Sequence, residues 1–395
     1  MNPRILSSLV LFPLIAGTSI SVTLPCIWDS DTLADEVRGL PGAQDLVTGR
    51  WFRHGKAYYQ KRIETLPARI EEHPDELELY DDLAVAYERL RDRDAAIAVM
   101  RKKKKALDRH TADDTIKLDQ LYRYHANLGT FYAHKGEFDK ALQELETAVK
   151  INPAAHFGRE RYQIDLIRYV AACKKDRSLW TTHDYFTFSN RMPKDRSFFS
   201  ITGSMSYSAR FRANADTRKA PWKEMYTATA GMLRFGGLEG AELYRSLGDL
   251  FLARRDLNLA WWAYQVAITN GHPAEASLRQ ACKGIEKHWK EANANNRKKV
   301  AAPDSALFRK VQVNSRKWLI TFQDAEKAFL EAGQDTSKPD VLSKIAAKAD
   351  EAVPRILPLP TPGSKQTDGE KSDRNGHGEW GARGEDRLEK KGKSR

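Results

Sequence analysis

Residues 125–153 read HANLGTFYAHKGEFDKALQELETAVKINP, and their spacing decides the fold. Leu128 and Tyr132 lie one helical turn apart and share a face of a first helix. Leu145, Ala148 and Val149 make an i, i+3, i+4 stripe on a second. Gly129 and Ala141 are small where two such helices must approach closely. Gly136 permits a tight turn between them, and Pro153 stops the second helix. The stretch predicts a helical hairpin. A hairpin of this kind covers only one of its own sides, so it must stack on another.

Two further copies flank it. One runs Tyr244, Leu247, Gly248, Phe251, then Ala260, Tyr264 and Ala267, with Pro273 one residue late. The other runs Tyr80, Leu83, Ala84, Tyr87, then Ala96 and Met100; Lys103 stands where a small residue is usual, and no proline closes the unit. Leu83 and Leu128 are 45 residues apart. That is one period of about 34 residues plus the polar stretch DRHTADDTIKL. Leu128 and Leu247 are 119 apart, which leaves room for degenerate units over 154–240. Within that interval RERYQIDLIRYVAACKKDRSLW and KEMYTATAGMLRFGG read as helical. Between them, residues 181–220 lack a helical period and are expected to be an inserted irregular loop or spacer, with a hairpin around Gly203.

The three copies resemble the tetratricopeptide repeat, whose pattern is W-x-x-L-G-x-x-Y, then A-x-x-x-F, A and P. The resemblance implies an all-α fold, a right-handed α-solenoid of antiparallel helix pairs with a concave groove. It implies repeat units over 77–153 and 241–273, no catalysis, no cofactor, and a protein or peptide as partner. In that family the first helix of each pair lines the groove. Carried onto the matched positions, this implies Asp81, Glu88, Arg123, Asn127, Thr130, His134, Arg245 and Asp249 as partner contacts. The lysine and asparagine arrangement that some members use to clamp a C-terminal carboxylate is missing. The first copy is acidic instead, which suits a basic or extended peptide.

Outside the repeats, YYQKRIETLPARIEEHP carries Ile63, Leu66 and Ile70 at helical spacing, and residues 26–74 are expected to form an N-terminal helical cap. Residues 274–358 read as amphipathic helices that close the other end. Residues 359–395 hold almost no apolar side chains except Trp380 and Leu388, and are expected to be a disordered tail. The start is different again: Arg4 precedes an interrupted apolar run, and Ser19-Ile20-Ser21 offers small residues for cleavage. Residues 1–21 therefore read as a signal peptide, and the chain is expected to be exported, periplasmic or extracellular. Membrane attachment would come only through that signal if uncleaved, or through a lipidated Cys26.

Composition narrows the remaining choices. With 395 residues, 41% hydrophobic and 30% charged, the chain is no polytopic membrane protein, and three cysteines exclude a disulfide scaffold. No HExxH, G-x-S-x-G, phosphate loop or dinucleotide fingerprint is present. The acids of WDSDTLADE lack calcium-loop spacing and read as turn and N-cap residues. Cys173 and Cys282 read as buried thiols that could pair if the chain is exported, and Trp261-Trp262 as core. The net charge of +12 is concentrated in 154–240 and 274–358. The first of these combines it with Phe157, Tyr162, Trp180, Tyr185, Phe186, Phe188, Phe198, Phe199, Tyr207, Phe211 and Trp222. Basic and aromatic side chains together suit an anionic polymer, which makes an envelope polymer or nucleic acid the alternative partner. An export signal argues against nucleic acid.

Overall fold

The computed structural model describes residues 27–32, 40–109, 114–189, 222–236, 240–254, 256–294 and 304–356. The hairpin around Gly203, the signal, Cys26, the tail and most of the 181–220 insert lie outside them. Every regular element among the described residues is helical. A short α1 (Ala43–Thr48) precedes α2 (Lys56–Glu72), α3 (Leu77–Arg89), α4 (Arg93–Arg109), α5 (Asp114–Lys135) and α6 (Phe138–Ile151). A 3-10 turn at Ala155–Gly158 leads into α7 (Arg159–Lys175), then the one-turn helices α8 (Leu179–Thr182) and α9 (Tyr185–Phe188). The chain continues with α10 (Trp222–Phe235), α11 (Ala241–Ala253), α12 (Leu257–Thr269), α13 (Glu275–Ala294), α14 (Ser305–Glu331) and α15 (Pro339–Ala352).

Consecutive helices pack as neighbours, most closely α3 on α4, α5 on α6 and α11 on α12. The reason is local. A Cβ on Gly129 would meet Leu145 Cγ at 2.7 Å, and one on Gly248 would meet Tyr264 Cε1 at 2.4 Å. Only a hydrogen lets the second helix of each pair come that near. Gly136 takes φ +84° in the α5–α6 turn, where its N–H donates to Ala133 O and that of Glu137 to Tyr132 O. The same turn recurs between α3 and α4, with Arg91 at φ +68° in the place of the glycine.

Apolar faces gather into separate clusters along the chain. Leu83, Ala84, Ile97, Met100 and Leu107 meet Leu128 and Phe131 under α3–α5. A larger cluster joins Leu145, Tyr162, Ile167, Leu247, Tyr264, Trp261, Trp262 and Ile285 from α6 to α13. Trp318, Phe322, Leu342 and Ile345 make a third between α14 and α15.

Residues expected simply to cap the array do more than that. The stretch 40–58 runs as a strap that touches the middle and the end of the chain. Arg50 donates to Asn314 Oδ1 (2.9 Å), Asp350 Oδ1 (3.0 Å) and the Val353 carbonyl (2.8 Å). Gly55 N–H donates to Glu326 Oε2 (2.7 Å), whose other oxygen meets His54. Arg234 of α10 donates to the Phe52 carbonyl (2.7 Å). Helix α14 thus leans back on the strap and α2 rather than only terminating a stack. The insert also departs from expectation at its start: residues 179–188 form α8 and α9, with Trp180, Tyr185 and Phe186 buried. Asp184 caps α9 by accepting from Phe186 and Thr187 N–H.

Candidate functional site

Helices α3 and α5 lie side by side, and across their shared face runs Ile27–Thr32 from the chain's own N-terminal region. Asn127 on α5 reads the backbone of that segment twice, accepting Trp28 N–H at 2.7 Å and donating to Trp28 O at 2.9 Å. Its amide nitrogen also donates to Asp81 Oδ1 at 3.1 Å. The Trp28 indole donates to Tyr122 OH (3.2 Å) and stands edge-on to that ring, while the Arg123 guanidinium lies 5.4 Å over its face. Two residues on, Ser30 donates its N–H and hydroxyl to the Asp82 carboxylate at 2.9 and 3.0 Å. Asp29 accepts from Thr32 N–H at 2.8 Å, the N-cap role its sequence position suggests. Arg62 of α2 pairs with Asp31 at 3.1 Å and with Asp29 and Asp82 at 3.5 Å, so one guanidinium is shared by three carboxylates beneath the segment.

The expected partner contacts are therefore placed differently from the sequence reading. Asp81, Asn127 and Thr130 are buried; Asp81 pairs with the buried Lys103, and Thr130 accepts from Gln163 of α7 at 3.0 Å. Glu88 and His134 are buried against each other at 2.7 Å. Arg123 alone is half-buried, held by Asp119 at 2.8 Å. Burial pushes the Asp81 carboxyl up to about 6, against the opposing pull of Lys103 and Arg123.

A second face shows the same arrangement. Arg245 of α11 is 1% exposed and donates to the His183 carbonyl between α8 and α9 at 2.7 Å. It pairs with Asp249 at 3.1 Å and Glu242 at 3.3 Å. Asp249 accepts from Tyr264 OH at 2.6 Å, and Glu242 meets His272 at 2.8 Å. Burial drives the Asp249 carboxyl well above the carboxylate range. Thus Arg245 and Asp249 do not look onto solvent. The physical reason is common to both faces: a stretch of this chain that belongs to no repeat covers the first helix of the repeat. Seven of the eight expected contacts are interior, some under these segments and others, such as Glu88 against His134 and Thr130 against Gln163, between neighbouring helices. Nothing in the local period of the helices announces the covering segments.

The aromatic residues assigned to a polymer surface fare similarly. Tyr162, Trp180, Tyr185 and Phe186 are core, so they offer no stacking platform, and Phe198, Phe199, Tyr207 and Phe211 lie outside the described residues. Cys173 and Cys282 are separate buried thiols, both pushed up to about 12 by burial. The described residues contain no group of three or more His, Cys, Asp or Glu placed to hold a metal, and no helix long and apolar enough to cross a membrane.

Sequence reasoning missed a cavity of about 610 Å³ between the strap, the end of α3, the end of α10 and α14. Its walls include Arg53, Lys56, Arg89, Arg91 and Arg234, with Asp29 and Asp31 as the acids. All five cations lie in loops or at helix ends, where no periodicity groups them.

Comparison with known proteins locates one repeat. The tetratricopeptide-repeat family profile matches residues 122–154, which are the second half of α5, all of α6 and the turn after it. No curated protein and no solved structure shows significant similarity to the chain. Repeats of this family generally mediate contacts between proteins and are typically non-catalytic, and the all-α architecture agrees with that class.

Proposed function

We propose that the chain is a non-catalytic interaction scaffold, a right-handed solenoid of antiparallel helix pairs, that holds a segment of another protein on the face formed by α3 and α5. The observation that carries the reading is the double contact of Asn127 with the backbone N–H and carbonyl of Trp28. Backbone contacts of this kind do not depend on side-chain identity, so a partner strand could take the place of Ile27–Thr32. The neighbouring Asp82 and Arg123 would then read a donor and a ring. The helices are ordered before binding, which limits the entropy lost on association. The composition of residues 1–21 supports action outside the cytoplasm, in the cell envelope or beyond it.

The test is competition. The immobilised full chain is exposed to an extract of its own cells, with and without excess synthetic Ile27–Thr32 peptide, and in parallel as Asn127→Ala. Partners released by the peptide and weakened by the substitution support the reading. Partners indifferent to both remove this face as the binding surface. N-terminal sequencing of the mature chain from cell fractions checks export; an intact Met1 on cytosolic protein would overturn that part.

A further inference from the structure

We propose that the cavity between the strap, α3, α10 and α14 binds a small organic oxyanion, a phosphate or carboxylate carried on a partly apolar body. This site shares Asp29, Asp31 and Thr32 with the segment that covers the α3–α5 face, so it is complete only while Ile27–Thr32 stays in place, and it rests on the unliganded state of that face. Its volume of about 610 Å³ falls in the range of roughly 300–1,000 Å³ usual for small-molecule pockets. Five permanent cations line it against two carboxylates, and both carboxylates are already engaged: Asp31 by Arg62 at 3.1 Å and the Tyr58 hydroxyl at 2.6 Å, Asp29 by Thr32 and Arg62.

Arg53 and Arg234 have partners of their own, and the cations open to a ligand are Arg89, Lys56 and Arg91. Arg89 is tied to a neutral partner, the Phe235 carbonyl at 3.0 Å, and its Nε is shut off from solvent without a hydrogen-bond acceptor among the described residues. Lys56 and Arg91 have no carboxylate within ion-pair distance among the described residues. Arg234 is braced over the Phe52 ring at 4.6 Å and Arg53 over the Trp51 ring at 4.6 Å, which fixes both guanidinium planes. Phe52, Phe235 and Leu319 supply the apolar wall. Guanidinium forks match the oxygens of phosphate and carboxylate alike.

Arg91 adds an independent sign. It occupies a left-handed turn position, φ +68°, that the sister turn fills with Gly136. A side chain there strains the backbone, and strain retained at a cavity rim points to use of that side chain. The substitution that removes the cation also relieves the strain, so Arg91→Gly leaves the fold intact.

The experiment is calorimetric titration of the full chain at low ionic strength with inorganic phosphate and, separately, citrate, each against sodium chloride at matched ionic strength. Saturable one-site binding of either probe is expected, weakened about tenfold or more by Arg91→Gly combined with Lys56→Gln. Phosphate alone would assign a phosphorylated ligand, citrate alone a polycarboxylate. Removing two cations elsewhere, Arg101→Gln with Lys104→Gln on α4, should leave binding unchanged. The proposal is overturned if neither probe saturates beyond chloride, or if the α4 control weakens binding as much as the cavity variant.

Discussion

Lys103 Nζ lies 2.5 Å from Asp81 Oδ2, and both side chains are almost wholly excluded from solvent. The lysine stands on α4 at a position where the α5–α6 hairpin has Ala148, so a charge pair fills space that a methyl group fills there.

Removing one partner strands the other. Lys103→Met leaves a buried carboxylate unpaired and should destabilise the chain by about 3–5 kcal/mol, whereas Lys103→Met with Asp81→Leu should recover most of that loss. Urea unfolding midpoints of the two variants decide it. Equal losses would mean that the pair itself carries the stability.

The same pair gives a pH dependence with a definite sign. Asp81 is raised to about 6 from an ordinary value of 3.8, so the folded state keeps its proton longer than the unfolded chain. Its contribution is complete below about pH 4 and is lost as pH rises through about 6, by an amount on the order of 1–3 kcal/mol. Stability measured from pH 4 to 7 relative to the Asp81→Leu, Lys103→Met double variant should therefore fall with rising pH; a rise would contradict the assignment.

Close approach of paired helices predicts a steric penalty. Gly129→Ala and Gly248→Ala place a Cβ 2.7 Å from Leu145 Cγ and 2.4 Å from Tyr264 Cε1. Each should cost about 1–3 kcal/mol by overpacking although alanine is the better helix former. Thermal unfolding should show both below wild type, and a stabilised Gly129→Ala would mean that the α5–α6 contact is looser than described.

Detaching the strap should loosen one region before the whole. Glu326 is buried and accepts from Gly55 N–H at 2.7 Å while meeting His54. Glu326→Ala should raise amide exchange across residues 40–58 by about tenfold or more, because the anchoring acceptor of that stretch is gone. Exchange in α5 and α6 should change little. A uniform increase along the chain would assign Glu326 to global stability instead.

How much of this was legible beforehand follows from where the information sits. Leu128, Gly129, Tyr132, Gly136 and Leu145 act within one hairpin, and a period of three to four residues records such contacts directly. The burial of Trp261 and Trp262 follows from the same pattern. Asn127 and Asp81 lie on α5 and α3, yet their partners come from Trp28 and Lys103. For Trp28 the contact spans 99 residues and leaves no periodic trace. The family resemblance puts Arg245 on an open groove, and the tract beginning at Thr181 shows no helical period, although its first residues fold over α11. Cations from three separate segments meet around the cavity only in the folded chain, so no short window of sequence contains them together.

That last meeting has a cost in time. Gly55 and Glu326 are separated by 271 residues, and a ribosome adding roughly 5–20 residues per second needs on the order of 15–50 s to deliver the second after the first. For most of that interval, until α10 and α12 have been made, Leu46, Val47 and Trp51, all interior in the finished protein, lack the helices they pack on. The newborn chain is thus sticky at its front until its later helices exist, and its maturation should depend on a shielding chaperone more heavily than its modest helical hairpins would suggest.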